Sequence, residues 1–240
     1  MPAPSVQSLK ERCRGISAGI FAAPCGALAD STRRLADWGG QLIHFDVMDG
    51  VFVPQITAGP DFVKALGDGM VRDVHLMVEC PDRHVAAFAE AGADIISVHV
   101  EAPGAARALA AIRAASAELG RPILAGLAIM PDTPLADLVP LLNPAPDLML
   151  VLALDPRRKA PPCVGEAAAR ARAIREMAAP ARPLVAIDGG ITEQSIAEAM
   201  CASPDFAVSG SAIFRAAAPE AAFRRLAGAL RRTAPDGVPA

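Results

Sequence analysis

Residues 42–50 read Leu42-Ile43-His44-Phe45-Asp46-Val47-Met48-Asp49-Gly50. Side chains alternate along a strand, so Ile43, Phe45 and Val47 share an apolar face while His44, Asp46 and Met48 share the other. That pattern fits a strand whose outer face meets helices and whose inner face lines a closed barrel. Short apolar, β-branched runs recur near 17–22, 73–78, 94–99, 123–129, 147–154, 183–187 and 205–209. Ala-rich helical patterns fall between and after them, near 27–38, 60–68, 82–91, 104–119, 134–142, 165–178, 192–201 and 217–231. Strands each followed by a helix, repeated eight times, predict a (β/α)8 barrel. An open doubly wound sheet is the alternative, but it calls for a glycine-rich loop after an early strand. The first strand runs instead into Ala22-Ala23-Pro24-Cys25-Gly26.

The barrel is expected over residues 16–231, with an N-terminal extension at 1–15 and a disordered tail at 232–240. Residues 1–14 read as frayed. Pro134 suits a first helical position after Thr133 as cap. The 240 residues are 52% hydrophobic but only 4% aromatic, with no tyrosine, so Ala, Leu, Val and Ile must build the core. A net charge of −3 gives no case for nucleic acid or an anionic membrane. Five scattered cysteines without CxxC spacing read as reduced thiols rather than a disulfide framework. The first residues lack the apolar segment of a signal peptide, and no run is long enough to span a bilayer. A cytoplasmic protein with a small-molecule partner is expected.

The inner face of the second strand needs explaining, because a buried His and Asp are costly unless partnered. The third strand adds Val74-His75-Leu76-Met77, with His75 and Met77 on one face, and the seventh ends in Ile187-Asp188-Gly189-Gly190. His44, Asp46, His75 and Asp188 could therefore converge at the C-terminal rim. Two imidazoles and two carboxylates suit one divalent ion such as Zn, Fe or Mn. Taken singly, each is ordinary, and DG and DGG are common turns; their coincidence in strands two, three and seven is what carries weight. His99 reads as either a supporting or a structural residue, His84 as surface, and Asp49 as a turn residue. After the eighth strand, Ser209-Gly210-Ser211-Ala212 leaves backbone N–H groups open to an anion. With Gly189 and Gly190 it marks the place where barrels hold phosphate.

Five stretches then stand in order: 44–54 (HFDVMDGVFVP), 73–77 (DVHLM), 91–99 (AGADIISVH), 188–190 (DGG) and 210–214 (GSAIF). On these the chain resembles the ribulose-phosphate 3-epimerase family from about residue 16 to residue 225. The resemblance implies that His44, Asp46, His75 and Asp188 bind the metal, that Asp46 and Asp188 are the acid/base pair, and that Gly189, Gly190, Gly210 and Ser211 hold phosphate. It also implies that Met48 and Met77 cap the site, that the substrate is a phosphosugar, and that the protein forms a homo-oligomer. Three positions depart from the family pattern. Gly19 stands where a serine is common, and Leu152 where a third methionine is common. Pro156-Arg157-Arg158-Lys159-Ala160-Pro161-Pro162 replaces a glycine-rich loop that covers the substrate. Arg157 and Arg158 are candidates to replace its backbone donors with charge; a solvated basic loop is the other reading. The expected activity is inversion of C3 of D-ribulose 5-phosphate through an enediolate. A paralogue acting on another ketose phosphate, and a non-catalytic phosphosugar-binding barrel, are the alternatives.

Overall fold

The computed structural model describes residues 5–158, 160–179 and 181–231. Eight strands pair in chain order into a closed parallel barrel: β1 (Gly15–Gly19), β2 (Leu42–Met48), β3 (Val71–Met77), β4 (Ile95–His99), β5 (Leu124–Ile129), β6 (Leu148–Leu152), β7 (Leu184–Asp188) and β8 (Phe206–Ser209). β8 closes on β1 with Ser17 opposite Val208. Helix α1 (Val6–Arg12) precedes the barrel. Helices α2 (Leu28–Asp37), α3 (Pro60–Ala65), α4 (Val85–Glu90), α5 (Ala105–Glu118), α6 (Val164–Met177) and α7 (Ile196–Met200) lie between the strands. A single turn, α8 (Ser211–Phe214), follows β8 directly, and α9 (Pro219–Arg231) comes after it.

Strand alternation sorts the core into two parts. Ile43, Phe45, Val47, Val74, Leu76, Ile96, Val98, Val185 and Ile187 face outward into the main cluster beneath the helices. Leu42, Val71, Ile95, Leu124, Leu148, Leu184 and Phe206 fill the barrel at its N-terminal end. Above them the interior is uneven. Ser17, His44, Asp73, His75, Ser97 and His99, from β1 to β4, are fully buried polar residues. Leu150, Leu152, Ala186 and Val208, from β6 to β8, face them as apolar wall. Most of the buried polar groups therefore lie on one side of the barrel, with Asp188 at the end of β7 completing the set from the other.

Two segments differ from the sequence expectation. Ahead of β1 the chain forms α1 instead of fraying. Ser5 and Ser8 cap it reciprocally through side chain and backbone, and Leu9 and Cys13 pack against the barrel floor. Burying Leu9 supplies about 1.5–3 kcal/mol, which holds an extension that local sequence alone leaves loose. The segment Leu135–Leu141 is a 3-10 helix with Pro140 inside it, because proline lacks the N–H that an α-helical turn needs. Thr133 does not cap it; its hydroxyl donates to Glu101 Oε1 at 2.5 Å. The expected tail at 232–240 lies outside the described residues. Among the described residues no helix is long and apolar enough to cross a membrane.

Candidate active site

Strand register brings the site residues together. β2 and β3 align His44 with Asp73 and Asp46 with His75, while β6 and β7 align Leu152 with Asp188. One ligand atom from each of His44, Asp46, His75 and Asp188 lies within 4.8 Å of the others. His75 Nδ1 is 3.3 Å from Asp46 Oδ1 and 3.3 Å from Asp188 Oδ2. His44 Nε2 is 3.1 Å from Asp46 Oδ1 and 3.7 Å from Asp188 Oδ2.

Hydrogen bonds behind the cluster choose which ring nitrogen each histidine offers. Asp73 Oδ2 accepts from Ser17 Oγ at 2.8 Å and from His44 Nδ1 at 2.7 Å. With Nδ1 as donor, His44 turns Nε2 toward the two carboxylates. On the other side, Glu101 Oε1 accepts from the Met130 N–H at 2.8 Å and from Thr133. Its Oε2 lies 2.9 Å from His99 Nδ1, which must donate to it. His99 Nε2 is then the acceptor in its 2.8 Å contact with His75 Nε2. His75 donates through Nε2 and keeps Nδ1 for Asp46 and Asp188. Two buried relays thus present one imidazole nitrogen each to the same point.

The charges follow from these contacts. Burial opposes protonation of His44, but Asp73 and Asp46 raise its pKa well above 6.5. Burial likewise opposes protonation of His75, and hydrogen bonds to Asp188 and Asp46 overcome it. Asp46, despite burial, is held far below the usual carboxylate range by His44 and His75. His99 goes the other way, to about 4, because burial and the neighbouring His75 both disfavour its cation. That keeps His99 neutral at neutral pH, as its acceptor role requires. Glu101, although partly buried, is lowered to about 2 by its bonds from His99, Thr133 and Met130.

A cavity of about 400 Å³ opens above the cluster, with Asp46, His75 and Asp188 in its floor. Met48, Met77, Leu152 and Leu154 form apolar walls. Gly189, Gly190, Gly210 and Ser211 line it at the ends of β7 and β8. Gly190 has φ +68, and a Cβ there would meet Pro162 Cβ at 2.3 Å. Glycine is thus needed both for the turn and for the close approach of the β6 loop. Gly19 and Gly210 also approach closely, a Cβ on Gly19 lying 3.3 Å from Gly210 Cα. A side chain at this position would need Gly210 to give way by a few tenths of an ångström.

Arg157 and Arg158 stand apart from the cavity. Arg157 makes paired bonds to Asp155, Nε to Oδ1 and an Nη to Oδ2, each at 2.9 Å. Its guanidinium also lies 5.8 Å from the Phe52 ring centre. Arg158 pairs with Asp132 at 2.6 Å. Nearby acids satisfy both cations before they can reach over the rim, and Lys159 lies outside the described residues. Asp49 is a turn residue as expected: its carboxylate accepts from the N–H groups of Val51, Phe52 and Glu79. His84 is exposed. Sequence reasoning passed over Asp73 and Ser17, although both share the inward parity of His75 and Gly19 on their strands. It also passed over Gln55, Thr57, Thr192 and Arg215, which line the cavity from loops.

The donor set, two imidazoles with fixed tautomers and two carboxylates, fits a borderline divalent cation. Known proteins resemble the chain over most of its length. The model of the ribulose-phosphate 3 epimerase family matches residues 15–214. A ribulose-phosphate 3-epimerase from Mycobacterium bovis is 39% identical over 227 residues, covering 89% of this chain and 93% of its own. Its counterpart from Synechocystis sp. is 36% identical over 208 residues, covering 84% and 87%. Among solved structures, a 3-keto-L-gulonate-6-phosphate decarboxylase from Vibrio cholerae superposes with a TM-score of 0.67 at 14% identity, covering 92% of this chain and 99% of that one. At that identity the likeness concerns the barrel alone.

Proposed function

Because the chain belongs to the ribulose-phosphate 3-epimerase family, we propose that it inverts C3 of D-ribulose 5-phosphate to give D-xylulose 5-phosphate. The observation that carries this reading is the pair Asp46 and Asp188, both 3.3 Å from one ring nitrogen of His75. One carboxylate removes the C3 proton to leave a planar enediolate, and the other returns a proton to the opposite face. Their roles exchange with the direction of reaction. His44, Asp46, His75 and Asp188 would hold a divalent ion, whose positive charge would stabilise the anionic enediolate. Met48, Met77, Leu152 and Leu154 keep water from that intermediate. Gly189, Gly190, Gly210 and Ser211 receive the phosphate with their backbone N–H groups.

Gly19 and the 156–162 loop favour a second reading, a different ketose phosphate inverted by the same carboxylates. Both readings agree with a cytoplasmic setting, in which the free thiols of Cys13, Cys25, Cys80, Cys163 and Cys201 persist. Assembly into a homo-oligomer agrees with the exposure of Val51 (66%) and Ile56 (83%) on the loop after β2.

Proton NMR of D-ribulose 5-phosphate in D₂O with metal-loaded protein tests the reaction. Loss of the C3 proton together with the appearance of D-xylulose 5-phosphate is expected. Exchange without that product supports the second reading, and no exchange with any ketose phosphate refutes both. Asp46→Asn and Asp188→Asn are each expected to abolish exchange in a folded protein; turnover retained in both overturns the acid/base assignment.

A further inference from the structure

The cavity poses an electrostatic problem for a phosphorylated substrate. Its described lining includes two carboxylates, Asp46 and Asp188, and a single permanently cationic side chain, Arg215. The divalent ion proposed for those carboxylates would offset them, which leaves little free positive charge to receive a phosphate dianion. The arginines that the sequence pattern offers for this task are committed elsewhere, Arg157 to Asp155 and Arg158 to Asp132. Two further cations, on α9, are also paired, Arg224 with Glu220 and Arg225 with Glu193.

Arg215 differs from all of these. It is the residue after α8, and its backbone N–H donates to Ser211 O at 3.1 Å. Its side chain is exposed and has no hydrogen-bond or ion-pair partner among the described residues. Its backbone is nevertheless held in place, because the neighbouring Ile213 is fully buried in the core. Arg215 lines the same cavity as Gly189, Gly190, Gly210 and Ser211. α8 is one turn long, so few aligned peptides contribute to any field at that wall. A side-chain charge is what the wall lacks, and Arg215 is placed to supply it.

We propose that Arg215 is the phosphate-recognising side chain of this protein, closing over the Gly189–Gly190 and Gly210–Ser211 wall and selecting for substrates with a terminal phosphate. It takes the charge role that the basic stretch 157–159 suggests, from the segment after β8 rather than the one after β6. A planar guanidinium binds two phosphate oxygens at once, whereas neutral backbone donors offset no charge. The proposal rests on the reading of the cavity as a phosphosugar site, and its test separates the two.

The test uses metal-loaded protein, with Arg215→Gln, Arg215→Lys and, as a control of equal charge change on the outer surface, Arg224→Gln. Three quantities are read: the Kd for inorganic phosphate by titration calorimetry, and KM and kcat for D-ribulose 5-phosphate. Arg215→Gln is expected to weaken phosphate binding and raise KM by about 10- to 100-fold, the span for losing a charge-assisted paired contact. kcat is expected to change far less, Arg215→Lys to recover part of the loss, and Arg224→Gln to behave as wild type. An unchanged phosphate Kd in Arg215→Gln overturns the proposal. So does a loss confined to kcat, or an equal loss in Arg224→Gln. If the wild-type protein does not turn over D-ribulose 5-phosphate, the proposed reaction fails, and the phosphate Kd values still decide the role of Arg215.

Discussion

Asp73→Ala removes the support of a candidate metal ligand without touching the cavity wall. Asp73 is fully buried and accepts from Ser17 Oγ at 2.8 Å and His44 Nδ1 at 2.7 Å. Alanine leaves an imidazole N–H and a hydroxyl without an acceptor inside the barrel. Breaking a buried charged pair from one side costs about 3–5 kcal/mol. For a chain of this size that is a fall of about 6–20 °C in Tm. Zinc affinity is expected to fall by about 10- to 100-fold, because the ring of His44 loses its fixed tautomer and orientation. The stability loss depends on pH in a defined direction. Burial opposes the His44 cation, but Asp73 and Asp46 raise its folded pKa well above 6.5. The stabilisation is therefore fully present below about 6.5 and is lost as pH rises through the folded value. The gap in Tm between wild type and variant should be widest on the acid side and narrow with rising pH. Calorimetric melts of the metal-free proteins across neutral pH measure the gap, and competition with a chelator measures zinc affinity. A Tm that stays within about 2 °C of wild type at every pH, at most about 1 kcal/mol, refutes the support role, as does unchanged zinc affinity.

Three other outcomes follow from the same geometry. Gly190→Ala forces a side chain at φ +68 against Pro162; we expect a loss of at least about 1–2 kcal/mol in thermal melts, with KM raised as the β6 loop shifts. Zinc must displace protons from His44 and His75, whose pKa values are both raised. Zinc addition should therefore release protons into weakly buffered solution, and its affinity should fall as pH is lowered; a pH-independent affinity contradicts the assigned ligands. The Cys13 thiol, pushed up to about 12 chiefly by burial, should resist a thiol reagent in the native protein. The exposed Cys25, Cys163 and Cys201 should react at once, and denaturation should release Cys13. Prompt native labelling of Cys13 contradicts the packing of α1 against the barrel floor.

Much of this protein is legible in local sequence because alternation is a local property. The parity that puts His44, Asp46 and Met48 on one side of β2 can be counted along the chain. The same count places His75 and Asp188, and it also contains Ser17 and Asp73, whose roles depend on contacts with each other and with His44 that parity alone does not show. The barrel itself follows from the repeat of such strands with helices between them. Tertiary structure decided what depends on partners distant in sequence. α1 forms because the barrel floor offers Leu9 and Cys13 a place to pack, 29 or more positions before Leu42 and the other floor residues they meet. The tautomers of His44 and His75 are set by Asp73 and Glu101 on other strands and loops. Charge at the phosphate wall is the clearest case. Arg157 and Arg158 stand in a basic run and Arg215 stands alone, so composition points to the run. Coulombic pairing acts through space, however: Asp155 and Asp132 hold Arg157 and Arg158, while Arg215, on the cavity lining, has no side-chain partner among the described residues.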